Sequence, residues 1–147
     1  MWVQRITTKE PEDDMIEIAI AAMEEVIPEN EEEDKIEIVL KNYVTNAVAH
    51  CEGEKLIEIS YKDKGQFLEF SVFNTGKNID EQDMPELWDS FYRADKAHGR
   101  SENRFGLGLS IVKSIMTNHN CKYGVANIED GVVFTFEVSK DSEYYGK

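Results

Sequence analysis

Residues 34–50 have the sequence Asp-Lys-Ile-Glu-Ile-Val-Leu-Lys-Asn-Tyr-Val-Thr-Asn-Ala-Val-Ala-His, and this stretch does most to decide the fold. Its apolar side chains recur three and four residues apart, which predicts an amphipathic helix with one buried face. The apolar positions are Ile36, Leu40, Tyr43, Val44, Ala47 and Val48. Asn42 and Asn46 lie one turn apart at the edge of this apolar stripe. An isolated pair of this kind is more often a partner for a neighbouring loop, so its meaning depends on the rest of the chain.

The segments after this helix predict a two-layer α+β domain. Apolar residues alternate in four stretches, which indicates strands, and recur at helical spacing after a pair of glycines. The predicted elements are strands at 57–61, 68–72, 122–128 and 132–138, a short helix at 83–91, a polar segment at 94–105 and a helix at 106–118. This order is typical of helices packed on one face of a mixed, mostly antiparallel sheet. We assign the domain to residues 34–140, followed by a tail at 141–147.

Residues 1–33 are predicted to form an acidic extension with one helix, at 13–27, after a short strand or extended arm at 3–8. Residues 1–38 carry 13 acidic and 3 basic side chains, most simply a solvated face. Binding to a basic partner is the alternative, and no sequence feature supports it.

The composition excludes several classes of function. The net charge of −14 over 147 residues argues against a nucleic-acid partner. We find neither a signal peptide nor the roughly 20 apolar residues that a membrane-spanning helix needs, so this segment does not insert into a membrane. Cys51 and Cys121 lack a CxxC partner, which indicates reduced thiols in the cytoplasm rather than a metal site.

Two further motifs suggest a ligand site. The second strand ends in Asn74-Thr75-Gly76, where a glycine lets the backbone approach a ligand closely. Gly106-Leu107-Gly108 opens the last helix, whose free N–H groups suit a phosphate. Each motif is weak alone, and the absence of a preceding strand and of the full glycine fingerprint excludes a dinucleotide fold.

Taken in order, these motifs resemble the N, G1 and G2 boxes of the ATP-binding catalytic domain of sensor histidine kinases. Residues 87–95, Leu-Trp-Asp-Ser-Phe-Tyr-Arg-Ala-Asp, resemble the F box that precedes the ATP lid in that family. The resemblance covers residues 35–140 and implies the Bergerat-type fold, which DNA gyrase B subunits and MutL share. It also implies that ATP or ADP and Mg²⁺ are the cofactors.

The resemblance assigns roles by position. It makes Asn46 the Mg²⁺ ligand, with Asn42 supporting the phosphates, and makes Asn74 the acceptor for the adenine amino group. His50 and Arg93 become candidate phosphate contacts, although no catalytic residue is certain. The full set of implied nucleotide contacts is Asn42, Asn46, Asn74, Gly76, Ile79, Tyr92, Arg93, Arg104, Gly106, Leu107, Gly108 and Leu109.

The chain also departs from the family pattern. Asn74 stands where the family usually has an Asp, and a neutral acceptor forms a weaker hydrogen bond than a charged one. Asn78 replaces the second glycine of the G1 box, Arg104 replaces the first glycine of the G2 box, and Ala49 lies where a basic residue is common. We therefore expect ATP binding of modest affinity.

None of the three histidines, His50, His98 and His119, has the sequence setting of a phospho-acceptor. The resemblance therefore implies two partners, a histidine-bearing dimerisation domain and a response regulator, and the chain alone should not autophosphorylate. An anti-sigma-factor-type serine kinase has the same fold, although the F box argues against it. A regulatory module without catalysis, either nucleotide-binding or nucleotide-free, is the other alternative.

Residues 4–20 resemble the cytosolic tail of an uncharacterised integral-membrane family, which implies that the parent protein is a fusion. The domain is then cytoplasmic, and a membrane-bound parent kinase stays open.

Overall fold

A computed structural model describes residues 2–7, 17, 21, 33–53, 56–89 and 105–141, with only the backbone described at 2–7, 33 and 105–107. The described elements are strand β1 (Trp2–Thr7), helix α1 (Glu33–His50), strands β2 (Leu56–Asp63) and β3 (Phe67–Thr75), the 3₁₀-helix η1 (Met84–Trp88), helix α2 (Phe105–Asn118), and strands β4 (Tyr123–Ile128) and β5 (Gly131–Ser139).

The strands form one sheet in the order β1-β2-β3-β5-β4. Every pairing among the described strands is antiparallel, so the described sheet contains no parallel pair. One row crosses the sheet from Ile6 through Ile57, Asn74 and Val132 to Asn127. The predicted α+β class and two-layer arrangement are confirmed.

Strand β1 changes the interpretation of the N-terminal extension. Its six residues pair with β2 from Trp2↔Tyr61 to Thr7↔Leu56, so part of the predicted extension forms an edge of the sheet. The helix predicted at 13–27 falls outside the described residues, apart from residues 17 and 21, which are both helical. The boundary at residue 33 therefore does not separate the described sheet from what precedes it.

Helix α1 packs its apolar stripe against the sheet. Tyr43 is fully buried, and its ring centroid lies 5.2 Å from that of Phe134 and 5.7 Å from that of Phe136. Its hydroxyl donates a hydrogen bond of 2.8 Å to the carbonyl oxygen of Thr135 in β5. Burial raises the pKa of Tyr43, so the phenol stays protonated and remains a donor. This contact fixes the helix over the centre of the sheet.

Replacing Tyr43 with Phe is expected to lower the free energy of unfolding by about 1 kcal/mol, because the ring stays packed and only the hydrogen bond is lost. Urea denaturation measures the change. Tyr123→Phe is a control, since no hydrogen bond of the Tyr123 hydroxyl is found among the described residues, and it should change stability less. Equal losses in the two variants would contradict the role given to the Tyr43 hydroxyl.

The short helix predicted at 83–91 is a single 3₁₀-helix with a proline in its first turn. Trp88 packs edge-on against Tyr123, with ring centroids 4.8 Å apart, and lies 6.0 Å from Phe134. Leu87 is also buried. The start of the F-box segment therefore anchors to the core, directly before residues 90–104, which lie outside the described part of the chain.

Candidate functional site

Asn46 lies in the last third of α1 and is only 8% exposed. Within the part of the chain that the structure describes, no residue forms a hydrogen bond with its side chain. The amide nitrogen and oxygen of Asn46 are not fully enclosed, so a ligand or water can reach them. An amide oxygen is also a suitable ligand for a hard cation such as Mg²⁺. This observation fits the metal role predicted for Asn46.

Asn42 lies one turn earlier and contacts the other helix. Its Nδ2 donates to the carbonyl oxygen of Ile38, at 2.9 Å. A Cβ atom built on Gly108 would lie 3.0 Å from the Asn42 Oδ1 atom, a tight contact. Gly108 therefore lets the first turns of α2 approach α1 at the asparagine. The structure brings together these two residues, which are 66 positions apart in the sequence.

Asn74 ends the pairing of β2 with β3 and is 3% exposed. Its Nδ2 donates to the carbonyl oxygen of Thr75 at 3.1 Å and to that of His50 at 3.5 Å. Both donor contacts use the NH₂ side of the amide, so Oδ1 is left as the acceptor. An acceptor is what an adenine amino group requires. An aspartate here could not donate to either carbonyl.

Gly76 brings the end of β3 against the end of α1. Its φ is +153°, and a Cβ atom there would lie 2.7 Å from the carbonyl oxygen of His50. The backbone of α1 therefore occupies the place where a side chain at position 76 would lie. Contact of Gly76 with a base stays a prediction. The side chain of His50 is exposed, while its carbonyl oxygen is in the site. Asn46 lies one helical turn, about 6 Å of rise, from this carbonyl.

The loop after β3 is tied to the β4–β5 hairpin by two asparagines that we call the hairpin clamp, Asn78 and Asn127. Asn78 donates through Nδ2 to the carbonyl oxygens of Ile128 at 3.1 Å and Gly131 at 2.8 Å. Asn127 accepts from the Ile79 N–H at 2.8 Å and donates to the Ile79 carbonyl oxygen at 2.7 Å. Sequence reasoning noted Asn78 only as a missing glycine and missed Asn127 entirely.

The remaining predicted contacts divide into two groups. Leu109 is 7% exposed and belongs to the core, and Gly106 and Leu107 lie in the first turn of α2, where backbone N–H groups have no partner within the helix. Tyr92, Arg93 and Arg104 lie outside the described residues, as does His98. His119 follows the end of α2 and is 5% exposed.

The donor set limits how a metal can be held. No cluster of three His, Cys, Asp or Glu side chains that suits a metal occurs among the described residues. A Mg²⁺ ion on Asn46 would therefore take most of its other ligands from phosphate oxygens and water, as is common for Mg²⁺ on nucleotides. The amide oxygen of Asn46 is compatible with such an ion, because Mg²⁺ binds oxygen ligands. None of the described helices is both long and apolar enough to cross a bilayer.

Comparison with known families gives two matches. Residues 31–142 match the family described as histidine kinase-, DNA gyrase B-, and HSP90-like ATPase. Residues 1–29 match a family described as protein of unknown function, DUF1385. The second match includes strand β1, so segments that match different families contribute to one sheet.

Similar proteins include histidine kinases. The sensor-like histidine kinase SenX3 of Mycobacterium tuberculosis is 37% identical over 81 residues, which cover 55% of this chain and 20% of that protein. The sensor protein VanSB of Enterococcus faecalis is 32% identical over 107 residues, covering 73% and 24%. The chain thus spans between a fifth and a quarter of the length of these relatives.

Solved structures agree with the sequence matches. The nucleotide-free catalytic domain of histidine kinase ThkA is 28% identical, with a TM-score of 0.66, over 98% of this chain and 99% of that one. A structure of ThkA in complex with the response regulator protein TrrA matches at 25% identity and a TM-score of 0.60, covering 96% of this chain and 42% of that one.

Proposed function

The chain belongs to the histidine kinase-, DNA gyrase B-, and HSP90-like ATPase family, and we propose that it is the ATP-binding catalytic domain of a two-component sensor histidine kinase. In this proposal it supplies the γ-phosphoryl group of ATP to a histidine on a separate dimerisation domain. The observation that carries the proposal is the pair of largely buried residues Asn46, one turn before the end of α1, and Asn74, which contacts the His50 carbonyl at that end, each with an amide oxygen that no described residue uses.

Each residue of the site is proposed to contact a different part of the nucleotide. Asn74, fixed through its NH₂ group, receives the adenine amino group on Oδ1. The open N–H groups of the first turn of α2 face the phosphates, and Asn42 supports that turn through its contact with Gly108. Asn46 offers its amide oxygen to Mg²⁺, which neutralises triphosphate charge when bound. Catalysis then consists of positioning and charge neutralisation, as is general for phosphoryl transfer.

The partners in this proposal are a histidine-bearing dimerisation domain and a response regulator. The complex of ThkA with TrrA supports the second partner, because the similarity to ThkA extends over 96% of this chain. In this proposal the domain lies in the cytoplasm, as part of a longer kinase; the relatives are named sensor-like histidine kinase and sensor protein. Residues 34–140 form the catalytic unit in this proposal, with residues 1–33 joined to it through β1.

Calorimetric titration with Mg-ADP tests nucleotide binding directly. We expect saturable heat with a dissociation constant between about 10 µM and about 1 mM, because Asn74 is a neutral acceptor. Mg-GDP, whose base offers a carbonyl oxygen to Oδ1, is the control and should bind more weakly. No heat at millimolar Mg-ADP would instead support a regulatory module without nucleotide. Phosphate transferred to a serine of an added protein, rather than to a histidine, would support the serine-kinase alternative.

A further inference from the structure

We infer that the hairpin clamp, Asn78 and Asn127, positions the base-binding side of the nucleotide site, and that Asn127 determines how well adenine is distinguished from other bases. The inference rests on the proposed function. Neither residue needs to touch the nucleotide, because both act through the backbone of the loop that follows Asn74.

The first observation is the pairing of Asn127 with Ile79. The segment 77–80 has no regular secondary structure, so its backbone groups have no strand partner. Asn127 replaces that partner, since its amide accepts from the Ile79 N–H and donates to the Ile79 carbonyl at 2.8 and 2.7 Å. Both distances lie at the short end of the normal range for N–H···O bonds. Two opposed bonds to one residue fix its position and its orientation.

The second observation is that the same loop is held at two further points. Asn78 reaches the carbonyl oxygens of Ile128 and Gly131, on either side of the hairpin turn. The Gly76 N–H donates to the carbonyl oxygen of Asp130 at 3.0 Å. Asp130 has a φ of +65°, the left-handed conformation that aims this carbonyl in the turn. The hairpin turn and the loop therefore form one hydrogen-bonded unit next to Asn74.

The third observation connects this unit to the base acceptor. Gly131 packs so closely on β3 that a Cβ atom there would lie 2.2 Å from the Asn74 carbonyl oxygen. Asn127 also stands in the same row of the sheet as Val132 and Asn74. A displacement of the hairpin relative to the loop would therefore also displace Asn74. A loop fixed before binding avoids the ordering cost that a free loop incurs when it binds.

The test compares Asn127→Ala with the wild-type chain by titration of Mg-ADP and Mg-GDP. Loss of both hydrogen bonds is expected to weaken Mg-ADP binding about tenfold and to lower the ADP-to-GDP preference. A variant that is merely less folded would lose both nucleotides equally, so the ratio reports positioning. Asn127→Asp keeps the acceptor for the Ile79 N–H and loses the donor, and should fall between. Asn118→Ala, at the exposed end of α2, is the matched control.

A second readout needs no nucleotide. Hydrogen exchange at the Ile79 amide should become faster in Asn127→Ala, because its acceptor is gone. Asn78→Ala, at an exposed position, provides a variant that should fold and should lower the same ratio. Unchanged ratio and exchange in these variants, with normal binding by the wild type, would overturn the inference alone. A wild-type chain that binds neither nucleotide would overturn the proposed function and the inference with it.

Discussion

Replacing Asn46 with alanine is expected to weaken Mg-ADP binding by about 100-fold, while binding of ADP in excess EDTA changes by less than about threefold. Loss of a group that only orients a metal ligand already costs about 10- to 100-fold in affinity, and Asn46 is proposed as the ligand itself. The buried amide is not hydrogen-bonded to any described residue, so its removal leaves no protein group unpaired. The effect should therefore appear in metal-dependent affinity rather than in stability.

Isothermal titration with and without Mg²⁺ measures this difference. Asn46→Asp keeps an oxygen ligand and should retain much of the dependence on Mg²⁺. Lys41→Ala, an exposed change on the same helix, should bind as the wild type does. Equal weakening of Asn46→Ala in Mg²⁺ and in EDTA would show that Asn46 supports the nucleotide by some means other than the cation.

The regular elements could be predicted because their cause is local. Tyr43 and its neighbours in α1 repeat at helical spacing, and β3 alternates between buried and half-buried residues, so the local pattern predicts the two layers. The predicted strands of the domain are all present, close to their predicted bounds. The site roles predicted for Asn42, Asn46 and Asn74 have a different basis, since the order of these residues along the chain matches a known family.

Other features could not be predicted because their cause lies far away in sequence. Asn127 stands in an alternating strand just before a turn, where an asparagine ordinarily serves the turn itself. Its partner Ile79 is 48 residues away. For β1, the sequence predicts a short strand or extended arm at 3–8, but its pairing with β2, more than 45 residues later, has no local signal in the sequence.

The departures from the family pattern become consistent once the hydrogen bonds are known. Asn74 uses its NH₂ group on the carbonyl oxygens of Thr75 and His50, contacts that a carboxylate cannot make. Asn78 uses its side chain to hold the hairpin where a glycine would offer nothing. Asn74 lacks the charge of the usual aspartate, and Asn78 lacks the backbone freedom of the usual glycine. Each of them adds hydrogen bonds to backbone carbonyl oxygens instead. The chain therefore has more hydrogen bonds in this loop, while the proposed base acceptor, Asn74, is neutral.

Gly131→Ala is expected to lower the free energy of unfolding by about 3 kcal/mol or more, because overpacking of a close contact forces backbone to move. The added Cβ would lie 2.2 Å from the Asn74 carbonyl oxygen and 2.5 Å from Cε2 of Phe73. The first of these atoms is backbone in the pairing of β3 with β5, so it cannot turn away as a side-chain tip would. Mg-ADP binding should fall as well, since the displaced residue, Asn74, is the proposed base acceptor.

Urea denaturation gives the stability change from the midpoint and slope of each curve. Gly124→Ala in β4 is the matched control, because its new Cβ would meet only the Thr135 hydroxyl at 3.8 Å, an ordinary contact. The free energy of unfolding of that variant should lie within about 1 kcal/mol of the wild-type value, since replacing a strand glycine with alanine removes no contact and changes strand propensity little. Equal stability of the two glycine variants would contradict the close contact between Gly131 and Asn74. It would also remove the evidence that the hairpin positions Asn74.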